Sequence, residues 1–84
     1  EETYMVSRLN VNNKVVGTKQ VKRAIKNGEV ETVYVARDAD GKIIDEILIA
    51  CDEKQIEIIY VDSMEKLGEA CKIDVNAATA ALLK

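Results

Sequence analysis

Thr32-Val33-Tyr34-Val35-Ala36, followed at once by the polar stretch Arg37-Asp38-Ala39-Asp40-Gly41, is the segment on which the fold turns. Three β-branched residues and one aromatic in five positions predict a strand, and its apolar character predicts a central one. The polar stretch reads as a loop ending in the turn dipeptide Asp40-Gly41. From Ile43 to Lys54 the residues Ile44, Ile47, Leu48 and Cys51 recur at helical spacing, leaving Asp45, Glu46, Asp52 and Glu53 to face outward. Ile56 to Val61 is an apolar run broken only by Glu57, which predicts a strand covered on both faces.

Working outward, Lys14-Val15-Val16 reads as a short strand that Gly17-Thr18 breaks, with Thr18 placed to cap the helix that follows. Over Lys19 to Asn27, Val21, Ala24 and Ile25 form one apolar stripe, and Asn27-Gly28 supplies the stop. Asp62 or Ser63 caps a short helix whose inward residues are Met64, Leu67 and Cys71. Ala77 to Leu83 fits strand or helix; strand is preferred, because it follows the loop Ile73-Asp74-Val75-Asn76 and completes a sheet. Tyr4, Met5, Val6 and Leu9 suit a short amphipathic helix over residues 1–10. The alternation α–β–α–β–α–β–α–β predicts a layered α/β/α domain around a mostly parallel or mixed sheet. One domain is expected over residues 1–84.

Composition removes several functions. The 84 residues contain no Pro, Trp, Phe or His, and Tyr4, Tyr34 and Tyr60 are the only aromatics. Without histidine there is no imidazole base, no Ser/His/Asp triad and no ordinary structural zinc site. Three aromatics are too few for a broad base-stacking platform. No apolar run approaches the roughly 20 residues of a membrane span, and no signal-peptide pattern opens the chain. Cys51 and Cys71 lie far apart and form no C-x-x-C, which fits a reduced, cytoplasmic setting.

The formal net charge of −3 conceals an uneven distribution. Residues 1–7 carry −2, residues 8–37 carry +5 and residues 38–84 carry −6. A polyanion responds to the field of one face more than to the global sum, so a small nucleic-acid footprint is admissible and extensive coating of RNA or DNA is not.

Catalytic signals are weak. Asp38/Asp40 and Asp45/Glu46 fall in a turn and on a helix surface, where a solvated face is the default. Gly17 has no second glycine at dinucleotide or P-loop spacing, and no cofactor or metal is expected. Cys51 and Cys71 fall on apolar stripes, as buried thiols do; Lys72 beside Cys71 is the one cationic neighbour in sequence.

Gly17-Thr18-Lys19-Gln20-Val21-Lys22-Arg23 says more. A glycine at a strand-to-helix turn lets a ligand approach the backbone, and the first-turn N–H groups favour an anion. Gln20 and Arg23, three apart, share a helix face with Lys19 nearby; glutamine can address a base edge, and arginine or lysine a phosphate or guanine. The same residues also describe an ordinary capped helix with a solvated basic face.

From about Lys14 to Leu83 the chain resembles the kink-turn-binding ribosomal proteins: the large-subunit proteins L-seven-Ae and L-thirty-e and their small bacterial paralogues. Four stretches in shared order carry the resemblance: Gly17-Thr18-Lys19-Gln20, Val35-Ala36-Arg37-Asp38-Ala39-Asp40, Leu67-Gly68-Glu69-Ala70-Cys71 and Ile73-Asp74-Val75-Asn76-Ala77-Ala78. The resemblance implies an α/β/α sandwich around a four-stranded mixed sheet. It implies a monomeric, non-enzymatic protein that binds structured RNA, in ribosomal RNA or a riboswitch, and neither DNA nor a membrane. The RNA site it implies comprises Gly17, Thr18, Lys19, Gln20, Arg23, Arg37, Ile73, Asp74 and Val75. Lys19 and Gln20 stand where archaeal and eukaryotic members carry Asn and Glu facing tandem sheared G·A pairs, and resemble the bacterial paralogues there. Arg23 matches a phosphate-contacting basic residue one turn on. Ile73 and Val75 match aliphatic side chains that cover unstacked nucleotides of the bulge; from the residues alone Val75 fits the core equally well. The alternatives are a protein-interaction domain of the same fold, its −6 segment meeting basic partners, and a small thiol enzyme.

Overall fold

The computed structural model of the protein describes residues 13–84. Its elements are β1 (Lys14–Val16), α1 (Thr18–Lys26), β2 (Val30–Ala36), α2 (Gly41–Lys54), β3 (Glu57–Val61), α3 (Met64–Ala70) and β4 (Thr79–Leu83). The helix expected over residues 1–10 lies outside the described residues. The four strands form one mixed sheet in the order β1-β4-β2-β3. β4 runs antiparallel to both neighbours, with Val16 opposite Ala80 and Tyr34 opposite Ala80, while β2 and β3 are parallel with Val35 opposite Tyr60.

The central position of β2 explains its composition. Val33 and Val35 enter a core with Val21, Ala24 and Ile25 of α1 and Ile47 and Cys51 of α2. Tyr34 and Ala36 enter a second core on the opposite face with Leu67 and Cys71. The period-2 alternation therefore distributes the strand between two helical layers, and both faces stay dry. β4, lying between β1 and β2, presents Ala80 to one layer and Ala81 to the other, both fully buried. Small side chains suit a strand covered closely on both faces, and they account for the ambiguity of Ala77 to Leu83 in the sequence. Helix α1 ends in a Schellman arrangement. Gly28 takes φ +72°, its N–H donates to Ile25 O, and Glu29 N–H donates to Ala24 O.

Three expectations are corrected. Thr18 does not cap α1: Gly17 holds the cap position, and Thr18 is the first helical residue. Helix α2 starts at Gly41, ahead of Ile43, because Asp40 Oδ1 accepts from Lys42 N–H at 2.8 Å and closes the first turn. β3 is an edge strand of the described sheet and is not covered on both faces; Glu57 and Tyr60 are exposed, and Ile58 and Ile59 are only half-buried. Ser63 does cap α3, accepting from Lys66 N–H at 3.1 Å.

Among the described residues, no helix is long and apolar enough to cross a membrane. Both thiols are buried, and burial pushes Cys51 up to about 11 and raises Cys71 as well. Both are therefore protonated at neutral pH and shielded from reagents. A thiol-specific dye at pH 7 should label neither until denaturant is added; fast labelling of the native protein would contradict this burial. The stability gained by burying a neutral Cys51 thiol is complete below about pH 9 and is lost as pH rises toward 11. Chemical denaturation should show that decline, and Cys51→Ala should flatten it.

Candidate nucleic-acid interface

Strand direction brings the chemistry together. β1, β2 and β3 run one way and β4 the other, so three strand exits and the entry to β4 share one rim of the sheet. Backbone bonds hold them in register. Gly17 N–H donates to Thr79 O at 3.0 Å, Ala36 N–H to Ala78 O at 2.9 Å, and Arg37 N–H to Val61 O at 2.8 Å. The start of α1 therefore sits beside the segment leading into β4, four residues beyond Val75. Arg37 lies one strand further along.

At the first position, Gly17 adopts φ +106°, which an L side chain rarely takes. A Cβ here would meet Gln20 Oε1 at 2.7 Å, so the glutamine amide curls back over the glycine. Thr79 Oγ1 donates to Thr18 Oγ1 at 3.5 Å, a side-chain tie across the same junction. Lys19, Gln20 and Arg23 are exposed, and among the described residues neither Lys19 nor Arg23 makes an ion pair. Lys22 is committed elsewhere. Its Nζ donates to Glu46 Oε1 on α2, and this bond and its charge hold the Glu46 carboxyl below the usual carboxylate range. No acidic residue occupies the first turn of α1. Of the four cations of this helix, Lys22 is bound to α2, Lys19 and Arg23 are displayed at or near the rim, and Lys26 sits at the far end in the last turn.

The loop before β4 takes its path from backbone contacts. Lys72 turns the chain at φ +62°, Ile73 N–H donates to Gly68 O, and Ala77 N–H donates to Met64 O. A Cβ at Gly68 would lie 2.2 Å from the Val75 carbonyl oxygen, so only glycine lets the loop close on α3. Ile73 is half-buried and packs against the core beneath it. Val75 is 69% exposed, which resolves its two readings in favour of the surface. Asp74 is exposed beside it.

The remaining carboxylates of the rim are largely occupied. Asp38 Oδ1 accepts from Met64 N–H and Asp40 Oδ1 from Lys42 N–H, each at 2.8 Å, so both carboxylates serve helix starts. Arg37 stands over the Tyr60 ring, 5.3 Å from its centroid, with Nε 3.9 Å from Asp62. No group of three or more His, Cys, Asp or Glu suited to a metal occurs among the described residues. Sequence reasoning leaves Gly68 and Tyr60 without a role. A glycine inside a helical pattern is the signal for the first; a tyrosine within an apolar run gives none for the second.

Gly68→Ala should displace the 73–76 loop and lower stability by about 1–3 kcal/mol, as overpacking does. A thermal melt checks the stability, and amide chemical shifts of Ile73 to Asn76 check the displacement. Unchanged shifts would mean that the loop is not seated on this glycine.

The sequence matches the Ribosomal protein L7Ae/L30e/S12e/Gadd45 family over residues 4–84. An RNA-binding protein of Caldanaerobacter subterraneus subsp. tengcongensis is 50% identical over 68 residues, spanning 81% of this chain and 83% of that protein. RNA-binding protein YbxF of Geobacillus stearothermophilus is 51% identical over 70 residues, spanning 83% and 85%. Among solved structures, a Giardia lamblia 15.5kD RNA binding protein superposes with a TM-score of 0.84 at 26% identity, covering 94% of this chain and 68% of that one. With the match running through all four strands and both sides of the rim, this chain belongs to the Ribosomal protein L7Ae/L30e/S12e/Gadd45 family.

Proposed function

We propose that this protein binds RNA, recognises a kink-turn and holds it in its bent form, acting as a ligand and not as a catalyst. Family membership and relatives named as RNA-binding proteins support the first part. The observation that carries the second is the Gly17–Thr79 backbone bond, which sets a cationic helix start beside an aliphatic loop.

The parts divide the work by chemistry. Gly17 and Thr18 let the RNA approach the helix start closely. Gln20, its amide already drawn toward that start, addresses the guanine edges of the sheared pairs. Lys19 and Arg23 hold phosphate or guanine acceptors. Ile73 and Val75 cover the unstacked bulge nucleotides without an aromatic ring, and Asp74 accepts from an exocyclic amino group there. A straight duplex meets only the first set. A bent RNA meets both, and a ligand shifts a conformational balance only through such a difference. Taking 1% bent to 99% requires about a 10⁴-fold preference for the bent form, which contacts on one stem cannot supply. The free, buried thiols fit a reducing cytoplasm, and the ligand is a folded RNA such as ribosomal RNA or a riboswitch.

A kink-turn RNA labelled at both ends should show its arms approach on titration with the protein. Equal affinity for a straight duplex of the same composition would refute the reading, and binding to none of several kink-turns would favour a protein-interaction role. Arg23→Ala should weaken binding evenly across RNAs and flatten the salt dependence by about 0.7–0.9 in slope. Gln20→Ala should instead erode the preference for G·A pairs over Watson–Crick pairs. Competition binding measures that preference, and an unchanged value removes Gln20 from the readout.

A further inference from the structure

Strand order sets an order of chemistries along the rim. Beside β1 stand Lys19, Gln20 and Arg23, and next to them, ahead of β4, stand Ile73, Asp74 and Val75. β2 then ends at Arg37, and β3 carries Tyr60 and leads into Asp62. Three steps of about 4.8 Å separate the first strand from the last, so the ends lie roughly 14 Å apart.

The far end is a cluster in its own right. Tyr60 pairs with Val35 in register, and Arg37, two residues on, carries its guanidinium over the ring. Asp62 lies 3.9 Å from Arg37 and 3.4 Å from Lys66, and these side chains are 55–64% exposed. Arg37 and Lys66 share the single carboxylate of Asp62, and Asp38 gives its Oδ1 to the Met64 N–H at the start of α3, so both cationic groups keep donors for a further anion. Exposed ion pairs of this kind do little for the fold. Tyr60, at 36% exposure and with Arg37 on its face, is a seat for the guanidinium and not a stacking platform. A guanidinium and an ammonium held at a rim are phosphate chemistry. Between the two basic ends, the exposed Asp74 repels phosphate, so backbone charge is directed to the ends and base faces to the centre.

We propose that Arg37 and Lys66, with Tyr60 as the support of Arg37, form a second RNA contact that takes the phosphate backbone of the Watson–Crick stem beyond the bulge. This rests on the kink-turn reading, in which Lys19, Gln20 and Arg23 take the G·A stem and the loop takes the bulge. The protein then grips both arms of the bend.

Two RNAs test it by fluorescence anisotropy at several salt concentrations: an intact kink-turn, and one shortened by removing the Watson–Crick stem. Arg37→Ala with Lys66→Ala should weaken binding of the intact RNA roughly tenfold, the effect expected for removing charge-assisted hydrogen bonds. The salt slope should fall by about 0.9 for each phosphate that is no longer neutralised. Affinity for the shortened RNA should not change. Tyr60→Phe, which keeps the ring, should behave as wild type, and Tyr60→Ala should reproduce Arg37→Ala alone. Thermal melts of the Arg37, Lys66 and Tyr60→Phe variants should match wild type, and Tyr60→Ala, which deletes a ring only 36% exposed, is compared at a temperature where its melt shows it fully folded. Equal weakening on both RNAs, or on neither, overturns the second contact and leaves the kink-turn reading standing. Wild-type protein that binds neither RNA overturns that reading itself.

Discussion

The insertion of β4 between β1 and β2 is the constraint on which everything else rests. A C-terminal strand that added to an edge would leave β1 and α1 apart from the segment before β4. Its antiparallel entry at the centre instead brings the exit of β1 against its own start, and Gly17 bonds to Thr79 there. Such a placement demands small side chains on both faces, and Ala80 and Ala81 meet that demand. The flanking strand makes up the hydrophobic area that alanines cannot supply: Val33, Tyr34 and Val35 fill the two cores on either side.

Charge follows the same logic of position. In this acidic protein the carboxylates nearest the cations are engaged in structural work, which leaves the donors of Lys19 and Arg23 displayed. Asp38 and Asp40 accept from backbone N–H groups at helix starts, and Glu46 draws Lys22 onto α2. A carboxylate that accepts from a helix N-terminus satisfies donors that would otherwise lack partners, and part of its charge is compensated by the helix dipole. Net charge is therefore a poor guide to this face, whereas the fate of each carboxylate is a good one.

Elements whose identity depends on local pattern were legible in the sequence. Val21, Ala24 and Ile25 mark α1 by spacing alone, and all three are buried. Properties that depend on neighbours were not. The apolar run of β3 resembles a central strand, yet its place in the sheet makes it an edge, because strand order is settled by long-range pairing and not by composition. Thr18 has the residue type of a cap, but the positive φ of Gly17 gives the cap position to the glycine. Val75 was ambiguous for a related reason. Whether an aliphatic residue in a loop points inward depends on where the loop is pinned, and the pin is Gly68, on the preceding helix. The candidate site residues follow from the resemblance alone, while the backbone bonds that bring them to one rim join residues far apart in sequence and leave no local pattern.

The close approach of Gly68 to the Val75 carbonyl separates the course of the loop from the identity of its side chains. Main chain meets main chain there, so the side chains of residues 74 and 75 are free of any duty in holding the curve. Divergence can retune this stretch one substitution at a time, exchanging size, polarity or charge, while the scaffold beneath stays the same. The glycine on the neighbouring helix is in that sense the fixed half of an adaptable surface.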